Sequence, residues 1–265
     1  MNGLLFLKIK IKKVQTLKIK YNHSKNKHTI EGAKTALLAI FGNNFPKSVL
    51  DVGCGIGTWL KACQELGAKE IYGIDGVQIA DYQLLIEKDE FRVMDITKPI
   101  NLRRKYALVL CLEVGEHLPK KYSNTQIKNL TRHGNTILFS AACPGQGGQN
   151  HINCQWPTFW QKKFNKCGFA CFDTIRAKVW ANQKIEPWYR QNIFLAKKSR
   201  RAGNEPRINA YIHPDIFHEQ LTTAKEIKKR IETGRLPFWW YIQNVILSAV
   251  FKIKRRIQKK PNKAR

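Results

Sequence analysis

The chain has 265 residues, 43% of them apolar, with 47 lysines and arginines against 19 acids and a formal charge of +28. This length and apolar share exclude a disordered polypeptide and allow one well-buried core with appendages. Seven cysteines without a C-x-x-C pair argue against a disulfide framework or a thiolate zinc site, and read as reduced cytosolic thiols. The apolar run at 4–7 is too short for a signal sequence and no stretch reaches transmembrane length, so the expected location is cytoplasmic.

The charge sits at the ends. Residues 1–28 hold eight lysines and no acid, and residues 252–265 hold eight lysines or arginines and no acid. Such ends suit an anionic partner, either nucleic acid or a phospholipid surface; a simply solvated tail is the alternative.

Residues 7–12 alternate apolar residues with lysine, the pattern of an edge strand or of a disordered segment. Residues 21–28 read as a polar loop. Thr29 can cap a helix running to Phe41, stopped by Gly42. A strand at 49–52 leads into a glycine loop, and a helix follows over 58–66. Further strands are expected at 69–75, 91–95, 106–112, 135–141, 169–175 and 192–196, with a helix at 157–167 ending at Gly168. Near-continuous apolar strands alternating with helices predict an α/β fold: a mostly parallel, seven-stranded sheet covered on both faces.

The glycine loop reads Asp51-Val52-Gly53-Cys54-Gly55-Ile56-Gly57. Glycines reach positive φ and let backbone approach a ligand closely, and a helix start offers unpaired N–H groups. The spacing G-x-G-x-G is not the dinucleotide fingerprint, and no Gly-Lys-Ser/Thr follows to make a P-loop. Asp51, Asp75, Asp95 and Glu113 all fall at the carboxyl ends of expected strands, where such sheets bind ligands, and an acid ending the second strand suits ribose hydroxyls.

From about residue 47 to 198 the chain resembles the class I S-adenosylmethionine-dependent methyltransferases, and among them a bacterial and archaeal methyltransferase-domain family. The blocks that carry the likeness are LDVGCGIGTWL, GIDG, DITKP, LEVGEHLP, LFSAACPGQGGQNHINCQWPTFW and WYRQNIFL. The resemblance implies a Rossmann-like methyltransferase domain at 29–200, flanked by basic extensions at 1–28 and 201–265. It implies S-adenosylmethionine as cofactor. Asp51, Gly53, Cys54 and Gly55 would surround its amino-acid end, Asp75 and Gly76 its ribose, and Asp95 and Ile96 its adenine. Leu112 and Glu113 would lie beneath the sulfonium. The implied acceptor is a small molecule, sugar or glycan, by way of a hydroxyl.

The stretch 144–160 is rich in glycine, amides and aromatics and reads as an acceptor lid. His151 is the candidate general base, since imidazole titrates near neutrality. The family usually carries Glu where this chain has Cys154. Glu116 and His117 fix the turn after the fourth strand or take part in chemistry, and Glu113 and His117 join His151 as candidate active-site residues. No metal site is expected: His213 and His218 are five apart without a third ligand nearby. Two other readings remain, a nucleic-acid methyltransferase using Trp156 and Trp160 to stack a flipped base, and a non-catalytic scaffold.

Residues 237–260 form an amphipathic helix led by Phe238-Trp239-Trp240-Tyr241. Ile242, Ile246, Ala249, Val250, Ile253 and Ile257 share one face; Asn244, Ser248, Lys252, Arg255, Arg256 and Lys259 share the other. That pattern suits the anionic inner face of a membrane, or packing on the catalytic domain or on a second subunit.

Overall fold

A computed structural model describes residues 21–23 and 28–258, with side chains up to Lys252. The alternating segment at 7–12 and most of the basic termini lie outside these residues.

Helix α1 (Ile30–Phe41) starts where expected: the Thr29 hydroxyl accepts from the Gly32 amide, and Gly42 ends the helix at φ 56°. Then follow β1 (Ser48–Val52), α2 (Thr58–Glu65), β2 (Glu70–Asp75), β3 (Phe91–Val93) and β4 (Leu108–Leu112). After them come α3 (Ser123–His133), β5 (Thr136–Ser140), α4 (Pro157–Lys166), β6 (Phe169–Phe172), α5 (Arg176–Val179), α6 (Pro187–Asn192) and β7 (Phe194–Lys198). The sheet has seven strands in the order β3-β2-β1-β4-β5-β7-β6, parallel except that β7 runs antiparallel to both neighbours. This is the Rossmann-like fold expected.

The apolar run of β4 is divided by the pleat. Leu108, Leu110 and Leu112 pack with Leu37, Trp59 and Leu60 of α1 and α2, while Val109 and Cys111 pack with Ile127, Leu130, Trp160 and Phe164 of α3 and α4. The strand order reverses beside β1, between β2 and β4, so the crevice opens at the ends of these strands.

Several boundaries move. β3 stops at Val93, because Asp95 turns the chain by accepting from the Thr97 amide. Tyr106 forms only an isolated bridge with Gly134 before β4. β6 ends at Phe172, where α5 begins within four residues, and β7 starts at Phe194 because 187–192 is helical. Helix α3, with Gln126, Ile127, Asn129, Leu130 and His133 buried, was not anticipated.

The compact first unit runs to Ile216. Residues beyond 200 are held in place by polar contacts. Glu205 accepts from Gln161, Asn165 and the Cys171 amide. The buried His213 amide donates to Gln191, and its ring contacts the Trp180 carbonyl and Arg190.

The second unit, 217–265, holds most of α7 (Pro214–Glu232) and all of α8 (Phe238–Gln258). The Tyr241 hydroxyl donates to the Arg230 and Ile231 carbonyls and so ties the two helices into a hairpin. Phe238, Trp239, Ile246 and Val250 are exposed, as are Val245, Leu247 and Phe251, so the apolar surface is wider than the face assigned from sequence. No helix among the described residues is long and apolar enough to cross a membrane.

Candidate active site

The glycine loop does what its composition requires. Gly53, Gly55 and Gly57 have φ of 89°, 53° and 89°, a region that costs other residues strain. The loop's amides are spent internally. Gly53 and Cys54 both donate to the Ile74 carbonyl (2.7 and 3.1 Å), and Gly55 donates to Asp75 Oδ2 (2.9 Å). The Cys54 side chain is buried toward Gly73, where an added Cβ would lie 2.7 Å from its sulfur. Gly53, Cys54 and Gly55 therefore shape the crevice without presenting these three N–H groups to a ligand, contrary to the simplest reading of the motif.

The acids at the strand ends are placed as the sequence implies. Asp75 uses both oxygens on backbone, the second accepting from the Val77 amide at 2.8 Å. Asp51 is buried, its Oδ1 has no hydrogen-bond partner, and burial with the nearby Asp75 charge pushes its carboxyl up to about 7. Asp95 spends Oδ1 on its own turn and leaves Oδ2 buried and unpartnered. Two orphaned acceptors, one at the end of β1 and one just after the edge strand β3, fit a ligand that carries an ammonium and, further along, an exocyclic amine, which is the donor pattern of S-adenosylmethionine. Ile96 and Leu112 are buried at the bases of the same loops, and Gly76 follows Asp75 half-buried.

Glu113, at the end of β4, has φ 55°, a conformation costing on the order of 1–3 kcal/mol. A network holds it there. Its amide donates to Ser140 (3.0 Å), and its carboxylate accepts from Gln146 Nε2 (2.9 Å) and Asn192 Nδ2 (3.2 Å). Burial still pushes this carboxyl up.

The next turn, Gly115–His117, carries Glu116, fully buried, and His117, half-buried. The Glu116 carbonyl accepts from the Ile152 and Asn153 amides (2.9 and 3.0 Å), and Asn153 Nδ2 donates to the Gly115 carbonyl (3.0 Å). These bonds fasten the lid to the turn and bring the His151 ring within 5.1 Å of the His117 ring, centre to centre. His151 Nδ1 lies 3.0 Å from the Gln146 carbonyl. A carbonyl only accepts, so Nδ1 carries the proton and Nε2 the lone pair. Burial lowers both imidazoles, His117 to about 4 with the help of His151.

His151 and His117 thus meet ring to ring, and Glu113 joins the lid through Gln146. Glu116, read from the sequence as a turn residue or a participant in the chemistry, lies among them. Two contributions were missed. Gln191 and Asn192, within the WYRQN block, reach Gln146 and, through Asn192, Glu113. Tyr21–His23, read as a plain polar loop, covers the site: Tyr21 packs edge-on to His117 (4.8 Å), His23 Nε2 is 3.7 Å from Asp75 Oδ1, and Asn22 exchanges two hydrogen bonds with Gln149. Nothing periodic marks such a segment. Trp160 is buried against Phe139 and cannot stack on a base.

Over residues 24–184 the chain matches the methyltransferase-domain family. A probable chloroplastic tocopherol O-methyltransferase of Oryza sativa subsp. japonica is 31% identical over 107 residues, 37% of this chain and 30% of that protein, so the match spans less than a third of the relative's length. The sugar N-methyltransferase KedS8 from Streptoalloteichus superposes with a TM-score of 0.51 at 12% identity, over 67% of this chain and 90% of that one. Magnesium protoporphyrin IX methyltransferase from Synechocystis PCC 6803 gives 0.45 at 20% identity, over 64% and 78%. The family match covers more than half of the sequence and falls on the domain that builds the crevice: the chain belongs to the methyltransferase-domain family.

Proposed function

We propose that this methyltransferase uses S-adenosylmethionine to methylate a hydroxyl of a small-molecule, sugar or glycan acceptor bound against Glu113, His117 and His151. One observation carries the reading. The orphaned acids of the glycine crevice and the Glu113–His117–His151 group meet at the same end of the sheet.

When bound, the cofactor supplies a methyl group on a sulfonium, already activated for displacement. The chain's own task is positioning. Asp51 and Asp95 would hold the polar ends of the cofactor, and Asp75 its ribose. The lid residues would exclude water and align the acceptor oxygen. As the O–CH3 bond forms, the acceptor's proton must leave; the His151 Nε2 lone pair and the Glu113 carboxylate are the acceptors at hand.

Calorimetric titration of S-adenosylhomocysteine tests the reading. The wild type should bind, and Asp75→Ala, which loses the ribose acceptor and releases the Gly55 amide, should bind at least tenfold more weakly. A folded wild type that does not bind overturns it.

The basic, aromatic-led helix α8 supports a second element of this proposal, peripheral attachment to an anionic lipid surface at the inner membrane face.

A further inference from the structure

Glu116 poses a problem that the methyl-transfer reading does not answer. Its side chain is completely buried, yet neither carboxylate oxygen makes a hydrogen bond of ordinary geometry. Its nearest polar neighbours are the Glu113 carboxyl, its own backbone and the backbone at Ala142. A buried acid kept for structure pairs with a base or caps backbone amides. Here a second acid stands beside it as well, and desolvation of such a pair costs several kcal/mol unless a cation or proton compensates.

Two imidazoles complete the surroundings. His117 Nδ1 is buried and unpartnered, while the ring interacts with the backbone at Gln149 and Asn150. His151 is oriented by the Gln146 carbonyl, which leaves Nε2 as its donor nitrogen. One donor atom from each of Glu116, His117 and His151 lies within 4.8 Å of the others. Donors bound to one cation at about 2.0–2.2 Å stand roughly 3–4.4 Å apart, so the cluster needs only a small contraction. His151 also carries, at Nδ1, the kind of backbone contact that orients metal-ligating histidines.

We propose that Glu116, His117 and His151 bind a divalent first-row cation, with Glu113 as an adjoining carboxylate. A set of carboxylate oxygen and imidazole nitrogen suits Mn2+, Fe2+ or Zn2+ better than a thiolate-seeking or all-oxygen ion. The cation neutralises the paired acids and occupies the His151 lone pair. It thereby turns His151 from a proton acceptor into a ligand and leaves Glu113 to receive the acceptor's proton. The cation's open positions would hold the acceptor hydroxyl and lower its pKa. This role rests on the methyltransferase reading; the binding itself does not.

The test uses full-length, tag-free protein stripped with EDTA and titrated with Mn2+, followed by the electron paramagnetic resonance signal of free Mn2+. The expected result is one Mn2+ bound per chain, with affinity reduced at least tenfold in Glu116→Gln and in His151→Ala. Equal binding by wild type and both variants, or no binding by the wild type, overturns the proposal. His151 lies in the lid and not in a core element, so His151→Ala decides the matter if Glu116→Gln fails to fold. S-adenosylhomocysteine is titrated into the same samples. Loss of its binding with Mn2+ binding intact would overturn the cofactor reading alone, and the reverse would overturn the cation site alone.

Discussion

Gly148 and His151 are in such close contact that a Cβ built on Gly148 would stand 2.1 Å from His151 Nε2. A real Cβ never approaches that closely, so the imidazole keeps its place only because residue 148 has no side chain. The lid glycine is a positioning residue for the one imidazole that the lid contributes.

Gly148→Ala should therefore displace His151 and reduce turnover by about 100-fold, while leaving S-adenosylhomocysteine affinity within threefold of wild type, since the atoms nearest the added Cβ all belong to His151. Paired kinetic and calorimetric measurements check this. A merely structural role would lower the melting temperature without separating the two readouts.

Asp51→Asn should stabilise the unliganded protein while weakening cofactor binding. Burial raises this carboxyl to about 7, whereas it ionises near 3.8 in the unfolded chain. A raised acid makes ionisation a cost to the folded state, so the wild type loses stability from this group as pH rises from about 4 to 7. Above pH 7 the cost reaches at most about 4 kcal/mol. Melting curves at pH 8 should show the variant more stable, and calorimetry should show weaker S-adenosylhomocysteine binding. A variant less stable at pH 8 would contradict the assignment.

His23→Ala should tighten S-adenosylhomocysteine binding. The His23 ring lies beside Asp75, where the ribose is expected, and only 3.0 Å from where a Cβ on Gly55 would stand, beside the place of the amino-acid end. Removing it should lower the dissociation constant by about threefold or more. A weakened affinity would instead make His23 a direct contact of the ligand.

The extension past residue 200 gives an acid-stability prediction. Burial pushes Glu205 up, but hydrogen bonds from Asn165, Gln161 and backbone amides outweigh it and hold the carboxyl down to about 2. A depressed acid contributes stability that is complete above its ordinary value of 4.5 and is lost as pH falls from there toward 2. After solvent screening the effect is on the order of 1 kcal/mol. Glu205→Gln should be less stable than wild type at pH 7, and the gap should close by pH 2–3 in chemical denaturation.

Lipid attachment through α8 predicts that the full chain cosediments with vesicles containing phosphatidylglycerol, and that a chain ending at residue 234 does so far less. The attachment should weaken at high salt. Equal cosedimentation of both chains would rule the helix out as the anchor.

The sequence by itself determined the sheet, the glycine crevice and the acids that line it. Each is a local device: a strand of apolar residues ends in an acid, and three glycines take positive φ values that strain other residues. It also selected Glu113, His117 and His151, because lid and turn carry chemistry-bearing residues in positions that packing alone does not demand. Only the tertiary structure decided what these residues face. The bonds from the Ile152 and Asn153 amides to the Glu116 carbonyl join segments more than thirty residues apart, and no local period announces them. The sequence leaves Glu116 as either a turn residue or a participant in the chemistry, and its burial and lack of partners are visible only in the fold. Tyr21–His23 reads as a polar loop because its contacts with His117 and Asp75 are long-range and few. The loop amides of Gly53, Cys54 and Gly55 looked available to a ligand because their acceptors, Ile74 and Asp75, lie on the neighbouring strand. Chain-local chemistry fixes which residues are present; closure of the sheet fixes which of them remain unsatisfied, and those are the ones left for a ligand.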